Sequence, residues 1–153
     1  MDLTQKVFDL LDKNKISYEK YEHEPVFSSE DASRVRGTDI SLGAKSLVFS
    51  ADDRLILIVV PANKKVDSRK FMKMYKVKNL RMVDKEKLPE KVNLERGAVM
   101  PFGSLLGLTT YFDEGLKREG DVVFNAGKTT ISIVMKAGDL VEVEKPILGD
   151  FAI

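Results

Sequence analysis

Six consecutive apolar residues, Leu55-Ile56-Leu57-Ile58-Val59-Val60, constrain this chain more than any other feature. Successive side chains of a strand face opposite ways, so a segment apolar at every position predicts a central strand covered on both faces. The turn Ala51-Asp52-Asp53-Arg54 precedes it. Before that turn, Gly43-Ala44-Lys45-Ser46-Leu47-Val48-Phe49 reads as a partner strand. Period two puts Lys45, Leu47 and Phe49 on one face of this strand and Ser46 and Val48 on the other. Lys45 therefore points to the core side of a buried sheet, near the strand's edge. Two environments satisfy such a lysine. Its ammonium meets a pocket, an anion or a carboxylate, or its stem lies over the core while the head reaches water.

The other elements mix without strict βαβ alternation, which predicts a mixed sheet in one compact α/β domain over residues 1–153. A helix runs from about Asp2 to Lys13 on Val7, Leu10 and Leu11, and a short strand follows near Tyr18–Tyr21. Ser28-Ser29-Glu30-Asp31 opens a second helix, with a serine cap and acids in the first turn, that ends at Gly37. A third runs from Val66-Asp67-Ser68 to Tyr75 with Phe71, Met74 and Tyr75 as its buried side. Leu80–Val83 reads as a strand, and Asp84 as the cap of a brief helix to Leu88. Thr109–Phe112, Val122–Asn125 and Ile131–Met135 read as strands, and Asp139–Val143 as a last helical turn.

The longest apolar stretch is too short to span a bilayer, and the first residues have no basic region followed by a long apolar segment. Neither a membrane nor a secretory route is expected. The absence of cysteine excludes disulfides, thiolate metal sites and a cysteine nucleophile, and it is compatible with a cytoplasmic location. One histidine, His23, cannot build a multi-histidine metal site. It precedes Glu24-Pro25 and reads as a structural turn residue.

Charge is unevenly distributed. Between Lys64 and Lys91 eleven Lys and Arg face four Asp and Glu, while the whole chain carries only +1, so the remainder is acidic. Such a stretch is either a docking face for a polyanion or a solvated lysine-rich surface. Gly127-Lys128-Thr129 is not a phosphate loop, because Val122 occupies the position where that motif needs its first glycine. Asn125-Ala126-Gly127-Lys128 separates two apolar strands, as a hairpin turn does. In Gly97-Ala98-Val99-Met100-Pro101-Phe102-Gly103 the glycines permit unusual backbone geometry and Pro101 stiffens the turn. That loop either connects two elements or aims several N–H groups at one point, as stabilising an oxyanion requires.

The order of the Tyr-rich strand with His23-Glu24-Pro25, the Lys45-Ser46-Leu47-Val48 strand, Gly97-x-x-x-Pro101-Phe102-Gly103 and Val123-Phe124-Asn125-Ala126-Gly127 resembles the YbaK/prolyl-tRNA-synthetase-associated domain family. The likeness runs from about Leu11 to Leu140. Members are aminoacyl-tRNA deacylases, some freestanding and others inserted in prolyl-tRNA synthetase. The resemblance implies a mixed sheet, partly closed like a barrel and flanked by helices. It implies that Lys45 is the functional lysine, either positioning the ester or the terminal phosphate as an ammonium or acting as a general base when neutral. It also implies that Gly97 to Pro101 is the carbonyl loop. The N–H groups of Ala98, Val99 and Met100 would face the carbonyl, and Ser46, Asn125 and Gly127 would line the pocket. Lys64, Lys65, Arg69 and Lys70 would guide the acceptor end of tRNA.

The substrate implied is tRNA-Pro carrying a small amino acid such as Cys or Ala, with a synthetase as a further partner. No metal, organic cofactor or DNA is required. Two positions depart from members of that family: Ser46 stands where some carry asparagine, and Asn125 lies in a segment where some carry histidine. These departures leave the accepted amino acid open. A non-catalytic tRNA- or synthetase-binding module and a small-molecule esterase are the competing classes.

Overall fold

A computed structural model describes residues 2–153, apart from the side chain of Arg36. Its organising element is the strand pair expected from the sequence. Strand β2 (Ala44–Ala51) and strand β3 (Arg54–Pro61) run antiparallel, with Lys45 opposite Val60 and Phe49 opposite Ile56. Asp52 and Asp53 form the connecting turn, both with positive φ (48° and 69°). That matches the twist of a two-residue hairpin. The Asp52 carboxylate accepts the N–H groups of Lys78 and Asn79, fixing the hairpin tip.

Both faces of β3 are covered. Leu57 and Val59 enter a large core with Val7 and Leu11 of helix α1 (Leu3–Lys13) and with Phe102, Phe112, Phe124 and Ile133. Ile56, Ile58 and Val60 enter a second core with Phe49, Phe71 and Phe151. Helix α3 (Ser68–Tyr75) supplies Phe71, which meets Tyr75, Tyr111 and Phe151 in tilted and edge-to-face ring contacts. Met74, expected on that buried side, is instead 42% exposed. Phe71 and Tyr75 are four residues apart and define the inner line of the helix, which leaves Met74 on its flank.

The first sheet has the order β4-β2-β3-β5-β8, with β4 at Leu80–Met82, β5 at Thr109–Asp113 and β8 at Ile147–Gly149. β2 pairs antiparallel with β3 and β4, whereas β5 lies parallel to β3 and to β8, so the sheet is mixed as expected. A second, antiparallel sheet has the order β1-β7-β6, built from Tyr18–Glu22, Ile131–Lys136 and Asp121–Asn125. The two sheets meet at one parallel bridge, Gly43 to Val123, and partly close on each other there.

Helix α2 (Ser29–Arg36) begins on a Ser28 side-chain cap and stops at Gly37, whose φ is +69°. Asp84 makes no side-chain cap bond. A short 3-10 turn at Lys85–Lys87 leads into helix α4 (Leu88–Val92), so the helix expected to end at Leu88 begins there. Helix α5 (Ala137–Glu144) is longer than the turn expected at its centre. No helix among the described residues is long and apolar enough to cross a membrane.

Candidate active site

β2 pairs with β4 only over Phe49–Ala51. Over Lys45 to Leu47 its outer edge has no strand beside it, and a cleft of about 270 Å³ opens there. The first turn of α2, Gly43 to Val48, Ala62, the 96–99 segment and the end of β6 line it. Phe27 and Met82, 47% and 43% exposed, also line it.

Lys45 occupies this cleft half-buried and forms no ion pair within 4.0 Å among the described residues. Burial pushes its pKa below the ordinary 10.5; the Glu30 carboxylate pulls the other way and the Lys65 ammonium adds to the depression. The neighbouring Ser46 hydroxyl lines the same cleft, is buried and has no hydrogen-bond partner. A buried polar atom left in this state costs about 1–3 kcal/mol unless something else satisfies it. A cation and a hydroxyl, both without a protein partner, share one wall.

The opposite wall is rigid. Gly97 has φ +85°, and a Cβ placed on it would lie 2.9 Å from the Phe27 Cα and from the Val26 carbonyl oxygen. Only glycine fits there without moving backbone. The Gly97–Ala98 peptide is held at both ends. Asn125 Nδ2 donates to the Gly97 carbonyl at 2.7 Å, and the Ala98 N–H donates to the Glu95 carbonyl at 3.0 Å. Behind Asn125, Ser132 Oγ lies 3.2 Å from Asn125 Oδ1 and 2.6 Å from His23 Nε2. His23 Nδ1 lies 2.7 Å from the Glu24 carbonyl.

Lys45, Ser46, Gly97, Val99 and Asn125 thus come together in one cleft. Ala98, Met100, Pro101 and Gly127 do not line it. Ala98 and Met100 are wholly buried in the main core, and the Ala98 N–H is already bonded to Glu95, so it is not aimed at a ligand. Pro101 is buried as well. Gly127 belongs to the β6–β7 turn and packs against Thr4 of α1, whose hydroxyl donates to the Ala126 carbonyl at 2.6 Å. A glycine-proline loop shows its flexibility in sequence but not which of its sides faces inward.

Lys64, Lys65, Arg69 and Lys70 are exposed and lie outside the cleft lining. Lys64 and Lys65 follow β3 directly beyond the cleft residue Ala62, and Lys70 pairs with Asp150 at 3.3 Å. Sequence reasoning missed Phe27, Glu30 and Arg96 in the lining, and the bonds that tie His23 to the site. The serine cap before Glu30 was the legible trace of α2. Nothing local announces a bond between His23 and Ser132, 109 residues apart.

A half-buried lysine and a clamped glycine loop line one cleft of a mixed α/β fold without cysteine. Residues 23–143 match the aminoacyl-tRNA editing domain, and the chain belongs to that family. Its homologues are aminoacyl-tRNA deacylases, hydrolases of the aminoacyl ester bond. It is 26% identical over 151 residues to the prolyl-tRNA editing protein ProX of Acetoanaerobium sticklandii, covering 95% of this chain and 92% of that protein. It is 25% identical over 152 residues to the multifunctional Ser/Thr-tRNA deacylase ProXp-y of Escherichia coli, covering 96% and 91%. A solved structure described as a candidate trans-editing enzyme for prolyl tRNA synthetase superposes with a TM-score of 0.80 at 20% identity, covering 100% of this chain and 98% of that one.

Proposed function

We propose that this protein is a freestanding trans-editing deacylase that clears a small amino acid, such as alanine or cysteine, from mischarged tRNA, with tRNA-Pro as the first candidate. The carrying observation is the half-buried, unpaired Lys45 in one cleft with Ser46, Gly97, Val99 and Asn125. An activated ester needs its carbonyl oriented and its developing charge stabilised more than it needs a protein nucleophile. Water adds to the carbonyl carbon, the tetrahedral oxyanion collapses, and the ester C–O bond breaks. The ribose oxygen leaves as a hydroxyl with one proton of the attacking water, the amino acid departs as its carboxylate, and the water's second proton passes to solvent.

In this reading the Lys45 ammonium anchors the ester or the terminal phosphate. We assign the N–H of Val99, a lining residue that follows the locked Gly97–Ala98 peptide, as the oxyanion donor. Ser46 Oγ supplies a hydrogen bond to the aminoacyl group. Phe27, exposed at the cleft, offers a face for the terminal base. The cell compartment for such a reaction is the one that holds charged tRNA, the cytoplasm, and a synthetase is the natural neighbour.

The deciding experiment is deacylation of tRNAs mischarged with alanine, cysteine, serine or threonine, with matched prolyl-tRNA as the control. Turnover of one or more mischarged species, inhibited by uncharged tRNA, is expected. No turnover of any of them overturns the reading, and turnover indifferent to uncharged tRNA points to a small-molecule esterase.

The Lys65 ammonium already acts electrostatically on Lys45, so the basic stretch and the cleft share one field. Reversing Lys64, Lys65, Arg69 and Lys70 to glutamate together should weaken tRNA binding about tenfold or more at low salt. The gap between variant and wild type should narrow as salt rises. Filter binding across a salt series reads this. Equal affinities at every salt concentration would assign the stretch to a solvated surface.

A further inference from the structure

We propose that His23 and Ser132 are positioning residues of this site, acting through Asn125 on the loop that carries Gly97 and Val99. The inference rests on the deacylase reading for its kinetic consequences, and on geometry alone for its mechanical ones. Four groups from separate parts of the chain form one relay: the His23 ring after β1, the Ser132 hydroxyl on β7, the Asn125 amide at the end of β6 and the Gly97 carbonyl.

A carbonyl oxygen only accepts, so the 2.7 Å contact with Gly97 fixes which end of the Asn125 amide is NH₂. Its Oδ1 then faces Ser132. Ser132 is wholly buried and has one proton to give. The Glu24 carbonyl also only accepts, so its 2.7 Å contact puts a hydrogen on His23 Nδ1, while Ser132 Oγ donates to Asn125 Oδ1 and lies 2.6 Å from His23 Nε2.

The backbone is pinned beside the same side chains. The His23 N–H donates to the Thr130 carbonyl and the Val26 N–H to the Thr129 carbonyl, each at 3.0 Å. This holds residues 23–26 along the loop that leads into β7, and Gly97 packs directly on Val26 and Phe27. Beside these backbone bonds, the His23 ring bonds Ser132, which in turn bonds Asn125. Rotating the Asn125 amide releases the Gly97–Ala98 peptide, and the direction of the Val99 N–H goes with it. An ångström of drift at such a donor is worth about a hundredfold in rate at the extreme.

The test uses the intact protein with two readouts. Single-turnover deacylation at saturating enzyme should fall about tenfold in Ser132→Ala and in His23→Ala, with tRNA affinity within about twofold of wild type. Because both act through one relay, the double variant should be no slower than the slower single variant. In parallel, amide hydrogen exchange at Ala98 should accelerate about tenfold in both variants while Ile58, in the central strand, stays unchanged. Asn125→Asp, equal in size but unable to donate to Gly97, should loosen Ala98 in the same way. Wild-type rate and exchange in either single variant, or losses that multiply in the double variant, overturn the proposal. If the wild type deacylates no tRNA the functional reading fails, and the exchange of Ala98 still decides whether the relay holds the loop.

Discussion

Lys45→Ala should lower kcat/KM for deacylation by about a hundred- to a thousandfold, the loss seen when one preorganised electrostatic group is removed from an oxyanion site. The protein should stay folded, and no less stable. Lys45 is half-buried with no ion pair within 4.0 Å among the described residues, and burial depresses its pKa from 10.5 more than Glu30 raises it, so the folded state pays to keep it charged. The sign follows directly. The unfolded chain holds this proton more tightly than the folded one, so the penalty is fully present below the lowered folded value. It is relieved as pH rises through the lowered folded value. Cutting the side chain back to Cβ removes the half-buried ammonium, and urea unfolding should show an unchanged or higher midpoint.

Lys45→Arg should be impaired as well, because a planar fork does not replace a compact ammonium. The pH profile distinguishes two roles. If the charged form anchors substrate, kcat/KM falls as pH climbs through the lowered pKa; if the neutral form is a base, it rises there. Near-normal turnover in Lys45→Ala would remove the lysine from the mechanism.

Gly97→Ala is expected to be the next most damaging change, and it should affect stability and rate together. A side chain at φ +85° costs about 1–2 kcal/mol on conformation alone. The new methyl would also sit 2.9 Å from two backbone atoms of Val26 and Phe27, which cannot swing aside as a flexible side chain would. The loop must move instead, and the Asn125 bond to the Gly97 carbonyl lengthens with it. A total loss of about 2–3 kcal/mol in unfolding free energy and about a hundredfold in kcat follows. By contrast, Gly107→Ala, where a Cβ meets nothing within 4 Å, should lose only the conformational part and keep wild-type kcat. Equal behaviour of the two variants would sink the close-packing account of Gly97.

The β2–β3 pair was legible because its information is local. Apolar residues at every position of β3 and a period of two in β2 identified the covered strand, the hairpin and the wall that carries Lys45. The helix starts at Ser28 and Asp67 were legible for the same reason, since a cap and its N–H partner lie three residues apart. The parallel pairing of β3 with β5 and the short strand β8 were not, because such pairing is set by tertiary packing rather than by neighbouring residues. The family resemblance brought Gly97 and Asn125 forward but placed Met100 and Gly127 with them. Met100 turned out to be a core side chain and Gly127 a hairpin residue packed on α1. His23 looked structural for a sound reason, its place in a turn; its partner lies on the other side of the second sheet's turn, where no spacing rule reaches.

The single rung between Gly43 and Val123 leaves a gap in what would otherwise be a continuous wall. A barrel zipped along its whole length would spend the main-chain groups of Lys45 to Leu47 on itself and leave nothing to grip a guest. Here the cleft lies where closure is incomplete, with the 96–99 loop along its lining. Substitutions on its rim can therefore retune which guest is held while the cores on either face of β3 stay as they are.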